Sequence, residues 1–303
     1  MKKNKSKNKK TTASNIKKSI EKTEKTYYSI KKIMKFCGIF AAVFGLSFGG
    51  SFFTKPDSSL SRLGYEIYDI VYEIFADFDN LEYGAPGKAD RIINREGYAI
   101  GYSNQFKQPL WVCYNLTAGE AENKNSYRIN DFRSDWRLFG KSADPDDYKG
   151  SNFDRGHLAP AADMAWSTKT MSQSFFMSNM SPQHPSFNRG IWKELEEQVR
   201  KWAVKFKKIH VISGPVFINP NRKFIGNSRV GVPEYYYKII YAPEQVQMIG
   251  FLMPNKDING KLGKYAVPVY DIEDAVQFEF FMKLAPDVRR KLKMKADKDF
   301  WGI

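Results

Sequence analysis

The 303-residue chain has only two cysteines, Cys37 and Cys113, and three histidines. Cys37 sits in an apolar run and Cys113 in the more polar remainder, so no internal disulfide is expected. The absence of any CxxC pair excludes a zinc ribbon. Neither a G-x-S-x-G elbow nor a G-x-x-x-x-G-K-[ST] loop occurs, which removes two common routes to nucleophilic and nucleotide chemistry. Acidic residues are scarce at the start: residues 1–35 hold 13 lysines against Glu21 and Glu24, and the first arginine is Arg62. That segment accounts for +11 of the net +15, which leaves +4 for the other 268 residues. The body of the chain is therefore close to balanced, and any strongly basic surface on it must be local. There is no internal repeat and no regular βαβ alternation.

What is present divides the chain. Residues 1–35 form a polar lysine-rich tail, expected to be disordered. Phe36–Phe53 follows with eighteen uncharged residues, the lower limit for a membrane-spanning helix. It reads as an uncleaved anchor or as a secretory signal segment. Lysines ahead of it predict a cytoplasmic N-terminal end and an extracytoplasmic body, either membrane-anchored or secreted. A mitochondrial address is the alternative, weakened by the lack of arginine. Residues 54–78 read as a linker and an amphipathic helix, with Leu63, Ile67, Ile70, Val71, Ile74, Phe75 and Phe78 at helical spacing. That helix is expected to pack on the body or to support a homodimer.

Residues 79–303 carry the globular domain; overall 42% of the chain is hydrophobic, enough for a real core. Apolar runs predict strands at 99–103, 109–116, 209–218, 234–241, 246–253 and 265–270, and helices at 272–282 and 287–295. The mixture without βαβ order indicates an α+β fold with a mainly antiparallel sheet.

Chemistry concentrates in fifty residues. Asp154-Arg155-Gly156-His157 is followed by Ser178-Asn179-Met180-Ser181-Pro182-Gln183, and then by Phe187-Asn188-Arg189-Gly190-Ile191-Trp192 leading to Leu195, Glu196 and Arg200. A helix is expected from Asn188 to about Lys207, with Ile191, Leu195, Val199 and Trp202 forming its buried stripe. Regular spacing by four puts Asn188 and Glu196 on neighbouring parts of one surface, where an amide oxygen and a carboxylate could share a hydrated cation. His157, with an unperturbed pKa near 6.5, can accept a proton from water. Plainer readings exist for each: Arg155 pairing Asp154, Glu196 pairing Arg200, and Asn188 capping its helix. Asp154 itself reads as structural. His184 and His210 lack comparable neighbours.

Taken together, DRGH, SNMSPQ and FNRGxWxxLExxxR resemble the DNA/RNA non-specific endonuclease family. The likeness is densest from Tyr148 to Trp202 and weaker from about Asp79 to Trp301. It implies a ββα-metal core, in which a hairpin and a helix hold one divalent ion beside a larger mixed sheet with flanking helices. It further implies His157 as general base, Asn188 as the direct ligand to Mg²⁺ (Mn²⁺ as a substitute), and Glu196 as the acid holding the metal's waters. Arg155 and Arg200 match arginines near the scissile phosphate, and Asn179 matches an active-site amide. Arg133 or Arg137 is expected to add a further basic contact. The implied activity is hydrolysis of DNA and RNA to 5′-phosphate products. The alternatives are a membrane-tethered nucleic-acid-binding protein without turnover and a phosphodiesterase acting on a smaller substrate.

Overall fold

The computed structural model describes residue 76 and residues 78–303. The expected basic tail, apolar segment and amphipathic helix lie outside the described residues, so the membrane and dimer expectations attached to them are not addressed by the fold. Among the described residues no helix is long and apolar enough to cross a membrane.

Among the described residues eleven strands occur in chain order: β1 Arg91–Asn94, β2 Ala99–Ser103, β3 Gln108–Thr117, β4 Asp154–His157, β5 Met180–Gln183, β6 Lys208–Val216, β7 Phe224–Ile225, β8 Val230–Gly231, β9 Tyr235–Ala242, β10 Gln247–Pro254 and β11 Ala266–Val267. Seven of them make one sheet in the order β1-β2-β3-β6-β9-β10-β11, and every pairing in it is antiparallel. β4 and β5 pair separately as an antiparallel hairpin, as do β7 and β8. This is the α+β architecture expected.

The central strands read as continuous apolar runs because both faces of the sheet are covered. Alternate side chains point to opposite sides. Val112, Tyr114, Ile209, Val211, Tyr236 and Ile240 enter one core with Leu195, Val199 and Trp202 of the long helix Lys193–Phe206. Trp111, Cys113, Ile212, Tyr237 and Ile239 enter a second core with Val269 and Ile272 of the helix Val269–Val276 and with Phe280 and Phe281. The functional motifs belong to the first side.

Three expectations need correction. Only Ala266–Val267 of the 265–270 run is strand; Pro268 has no N–H for the ladder and instead precedes the helix Val269–Val276. That helix starts earlier than the expected 272 and stops at Val276, where Gln277 takes the left-handed φ of 57°. The helix expected from Asn188 is not regular at its start. Residues Asn188–Trp192 form a π turn, in which Gly190 has φ −101° and ψ −115°, before the α-helix proper begins at Lys193.

Candidate active site

The β4–β5 hairpin carries the first two motifs in register: Asp154 faces Gln183, Arg155 faces Pro182, Gly156 faces Ser181 and His157 faces Met180. Gly156 is required by close approach, because a Cβ there would run into the Gln183 side chain. The hairpin is tied to the main sheet through its second strand. Ser181 bonds Gln108 and lies 2.6 Å from the Tyr236 hydroxyl, and that hydroxyl donates to the Pro182 carbonyl at 2.8 Å. Beyond His157, the Leu158 carbonyl accepts from Ser213 of β6 at 2.8 Å.

Alternation along β4 puts Arg155 and His157 on one face. Both meet the same aromatic wall. The Arg155 guanidinium lies 4.1 Å from the centre of the Phe132 ring, and the His157 ring packs edge-on to Phe132 at 5.7 Å and Phe175 at 5.0 Å. Arg128 covers Phe175 from 5.0 Å. His157 is 9% exposed, and its buried Nε2 has no hydrogen-bond partner. Burial, reinforced by the charges of Arg128 and Arg155, holds its imidazole pKa down to about 3. The ring is therefore neutral at pH 7, with a ring nitrogen unengaged between two cations.

The other face of β4 is a clamp. Asp154 accepts from Arg189 Nε at 2.9 Å and Nη2 at 2.7 Å, and from Asn188 Nδ2 at 2.9 Å. Partial burial raises its pKa, but the hydrogen bonds from Arg189 and Asn188 and the charges of Arg189 and Arg155 outweigh this and leave the carboxyl below its ordinary range. Arg155 thus does not need Asp154 as its partner, since Arg189 fills that place. Nor is Asn188 a plain helix cap: its amide nitrogen fixes the side chain, and its Oδ1 makes no hydrogen bond among the described residues.

The π turn interrupts the regular helix from which Asn188 and Glu196 were expected to project from neighbouring parts of one surface. Trp192 is fully buried, packed on Phe187 and Tyr236. Glu196 is half-buried and faces inward. Desolvation raises its pKa, while Lys238, Arg200 and Arg128 pull the other way. Lys238 projects from β9 into this region, completely buried, with its ammonium 4.5 Å from the centre of the Trp192 ring and no hydrogen bond. Desolvation lowers its pKa, and Glu196 and Asp163 oppose that.

Arg200 does not pair Glu196 four residues away. It binds Asp163 at 2.8 Å, and the second oxygen of Asp163 accepts from the Tyr114 hydroxyl at 2.7 Å. Arg200 is thereby anchored to the loop that follows His157.

Asn179 is fully buried: Oδ1 accepts from Ala159 N at 2.9 Å, and Nδ2 donates to the carbonyls of Ala159 and Ser174, each at 2.9 Å. It braces the loop behind His157. Arg133 is tied to Asp131, to Ser172 and to the Phe176 ring, whereas Arg128 stands beside His157 and Glu196. Arg137 lies over the Trp136 ring.

Arg128, Asp163 and Lys238 were not legible as site residues. Arg128 lies in a polar stretch without periodicity. Lys238 did leave a signal, as the single charge inside the apolar strand Tyr235–Ala242.

Among the described residues no three His, Cys, Asp or Glu side chains cluster as metal ligands. The Asn188 amide oxygen and the Glu196 carboxylate are hard oxygen donors. So sparse a set fits a small divalent cation that keeps most of its waters, as Mg²⁺ does.

Residues 77–287 match the family model for DNA/RNA non-specific endonuclease. Human mitochondrial endonuclease G is 32% identical over 209 residues, covering 64% of this chain and 70% of the human protein. The mitochondrial nuclease of Saccharomyces cerevisiae is 32% identical over 265 residues, covering 78% and 77% of the two chains. Nuclease C1 of Cunninghamella echinulata is 34% identical over 224 residues, covering 67% and 88%. A chain in the crystal structure of the EndoG/EndoGI complex superposes with a TM-score of 0.66 at 27% identity, over 72% of this chain and 94% of that one. This chain belongs to the DNA/RNA non-specific endonuclease family and is a nuclease.

Proposed function

We propose that the chain hydrolyses phosphodiester bonds in DNA and RNA with His157 as general base, leaving 5′-phosphates. The observation that carries this reading is the His157 Nε2, buried, without a partner, on a neutral ring flanked by Arg155 and Arg128. That nitrogen is an open acceptor for the proton of an attacking water, and the negative charge of a bound phosphate would offset Arg128 and Arg155 and raise the ring's basicity.

The remaining residues take roles their surroundings support. Arg155, Arg128 and Arg200 supply positive charge where a phosphate gains negative charge, and Arg200 is held for that role by Asp163. Asn188, aimed by Asp154, would hold a divalent cation directly, and Glu196 would hold that cation's waters. When bound, Mg²⁺ or Mn²⁺ would stabilise charge on the phosphate and on the leaving oxygen. Contacts of this kind go to phosphate and sugar, which carry no sequence information directly. The mitochondrial names of the human and yeast relatives support a mitochondrial location over secretion.

Plasmid nicking by the purified chain tests the reading: cleavage with Mg²⁺ that stops on chelation supports it, and cleavage unaffected by chelator opposes it. Faster turnover of a small phosphodiester than of plasmid would move the substrate to the smaller class.

A further inference from the structure

One loop on this molecule exposes large rings next to arginines. Tyr127 is 95% exposed, Trp136 47% and Phe139 74%. Two of them have a cation over the ring. Arg128 follows Tyr127 in the chain, the Arg137 guanidinium lies 5.4 Å from the Trp136 ring centre, and that of Arg91 lies 4.9 Å from the Phe139 ring centre. Arg91 is fixed there by donating from Nη1 to the Arg137 carbonyl at 3.1 Å.

The exposure is not a sign of a loose loop, because the segment is pinned from beneath. Asp135 is buried and bonded to Arg95 and to Ser178, and Leu138 is buried in the main core. Phe139 is presented by a left-handed backbone, φ 48°. The fold therefore holds Trp136 and Phe139 outward at a cost, since exposed rings gain nothing from burial.

The same loop begins at the active site. Phe132 touches His157, and Trp136 is four residues further on. Four residues reach at most about 14 Å, a distance that a few nucleotides of one strand cover. Flat aromatic faces beside arginines are what unpaired bases and their phosphates recognise, whereas bases stacked inside a duplex cannot offer their faces. The charge sign fits a polyanion.

We propose that Trp136 and Phe139, with Arg91 and Arg137, form a stacking platform for a single-stranded segment of the substrate, so that the enzyme binds single strands in preference to duplex. The proposal rests on the reading of His157 as the centre of cleavage only for its statement of where the strand leads; the platform itself is tested by binding.

The test uses the full chain and its Trp136→Ala, Phe139→Ala double variant. Binding of a fluorescein-labelled single-stranded oligonucleotide and of its duplex is measured by anisotropy with EDTA present, so that cleavage does not enter. The proposal predicts that single-strand Kd rises about tenfold, roughly one lost base stack, while duplex Kd changes less than threefold. Trp136→Tyr and Phe139→Tyr, which keep the rings, should restore single-strand binding. Equal weakening of both substrates, or no weakening of either, overturns it. So does a change in sedimentation from dimer to monomer with single-strand binding intact, which would make the patch a contact between copies. Failure of the parent to cut plasmid would count against the catalytic reading alone, because the binding result stands without it.

Discussion

Asn188 Nδ2 donates to Asp154 Oδ2 at 2.9 Å, joining the π turn to the first strand of the hairpin. This bond turns the Asn188 Oδ1 away from Asp154, the orientation that the proposed cation site requires. Asp154 is a positioning residue in this account. Asp154→Ala should raise the Mg²⁺ concentration for half-maximal cleavage by about 10- to 100-fold, the usual effect of losing a group that orients a ligand. Arg189→Ala should do far less, since Arg189 is 71% exposed and exposed pairs contribute little. Mg²⁺ titrations of cleavage by both variants check this, with Mn²⁺ binding followed by electron paramagnetic resonance as a second readout. Equal effects of the two substitutions would remove the orienting role.

Asn179 should matter through stability. Asn179→Ala strands the Ala159 N–H and the carbonyls of Ala159 and Ser174 in a buried setting. Each orphaned group costs about 1–3 kcal/mol, so urea unfolding should show a loss of at least about 2 kcal/mol. A variant of full stability that no longer cuts would give Asn179 a direct part in catalysis.

The sequence made much of this visible. Periodicity located β2, β3, β6, β9 and β10 within two residues at either end, because their side chains alternate between two apolar cores and leave unbroken apolar runs. The motifs named the strand that carries Arg155 and His157 and the turn that Asn188 ties to it through Asp154. What failed was inference from ideal helix geometry. The π turn at Asn188–Trp192 depends on Gly190 leaving helical φ/ψ, and nothing in a spacing of four reveals that. Partners far apart in sequence were equally hidden. Arg200 finds Asp163, 37 residues away, in preference to Glu196 on its own helix, because Asp163 is already buried and held by Tyr114.

Acid should destabilise the fold above the carboxylate range. Burial, with help from nearby cations, holds both His157 and His210 at about 3, against roughly 6.5 in the unfolded chain. Below pH 6.5 the unfolded state takes up a proton at each that the folded state refuses until about pH 3. Their stabilising contribution is therefore complete above pH 6.5 and is lost as pH falls through this window, at up to about 1.4 kcal/mol per pH unit for each ring. Urea unfolding between pH 7 and pH 5 should show this slope, and His210→Gln should remove about half of it. A flat profile would mean that the rings protonate within the folded protein.

Asp163→Asn should lower kcat more than it changes KM, because it loosens Arg200 without removing it. We expect about a tenfold loss at saturating substrate, checked by steady-state cleavage of a fluorogenic oligonucleotide. A pure KM effect would place Arg200 in ground-state binding of the substrate.

The account turns on the unpartnered nitrogen of one buried imidazole. The most direct measurement compares plasmid cleavage by the parent and by His157→Ala at saturating Mg²⁺, with circular dichroism on both. The account predicts an unchanged spectrum and a fall in kcat of at least about 100-fold, the range for a lost general base. Cleavage by a folded His157→Ala protein at the parent's rate would contradict it.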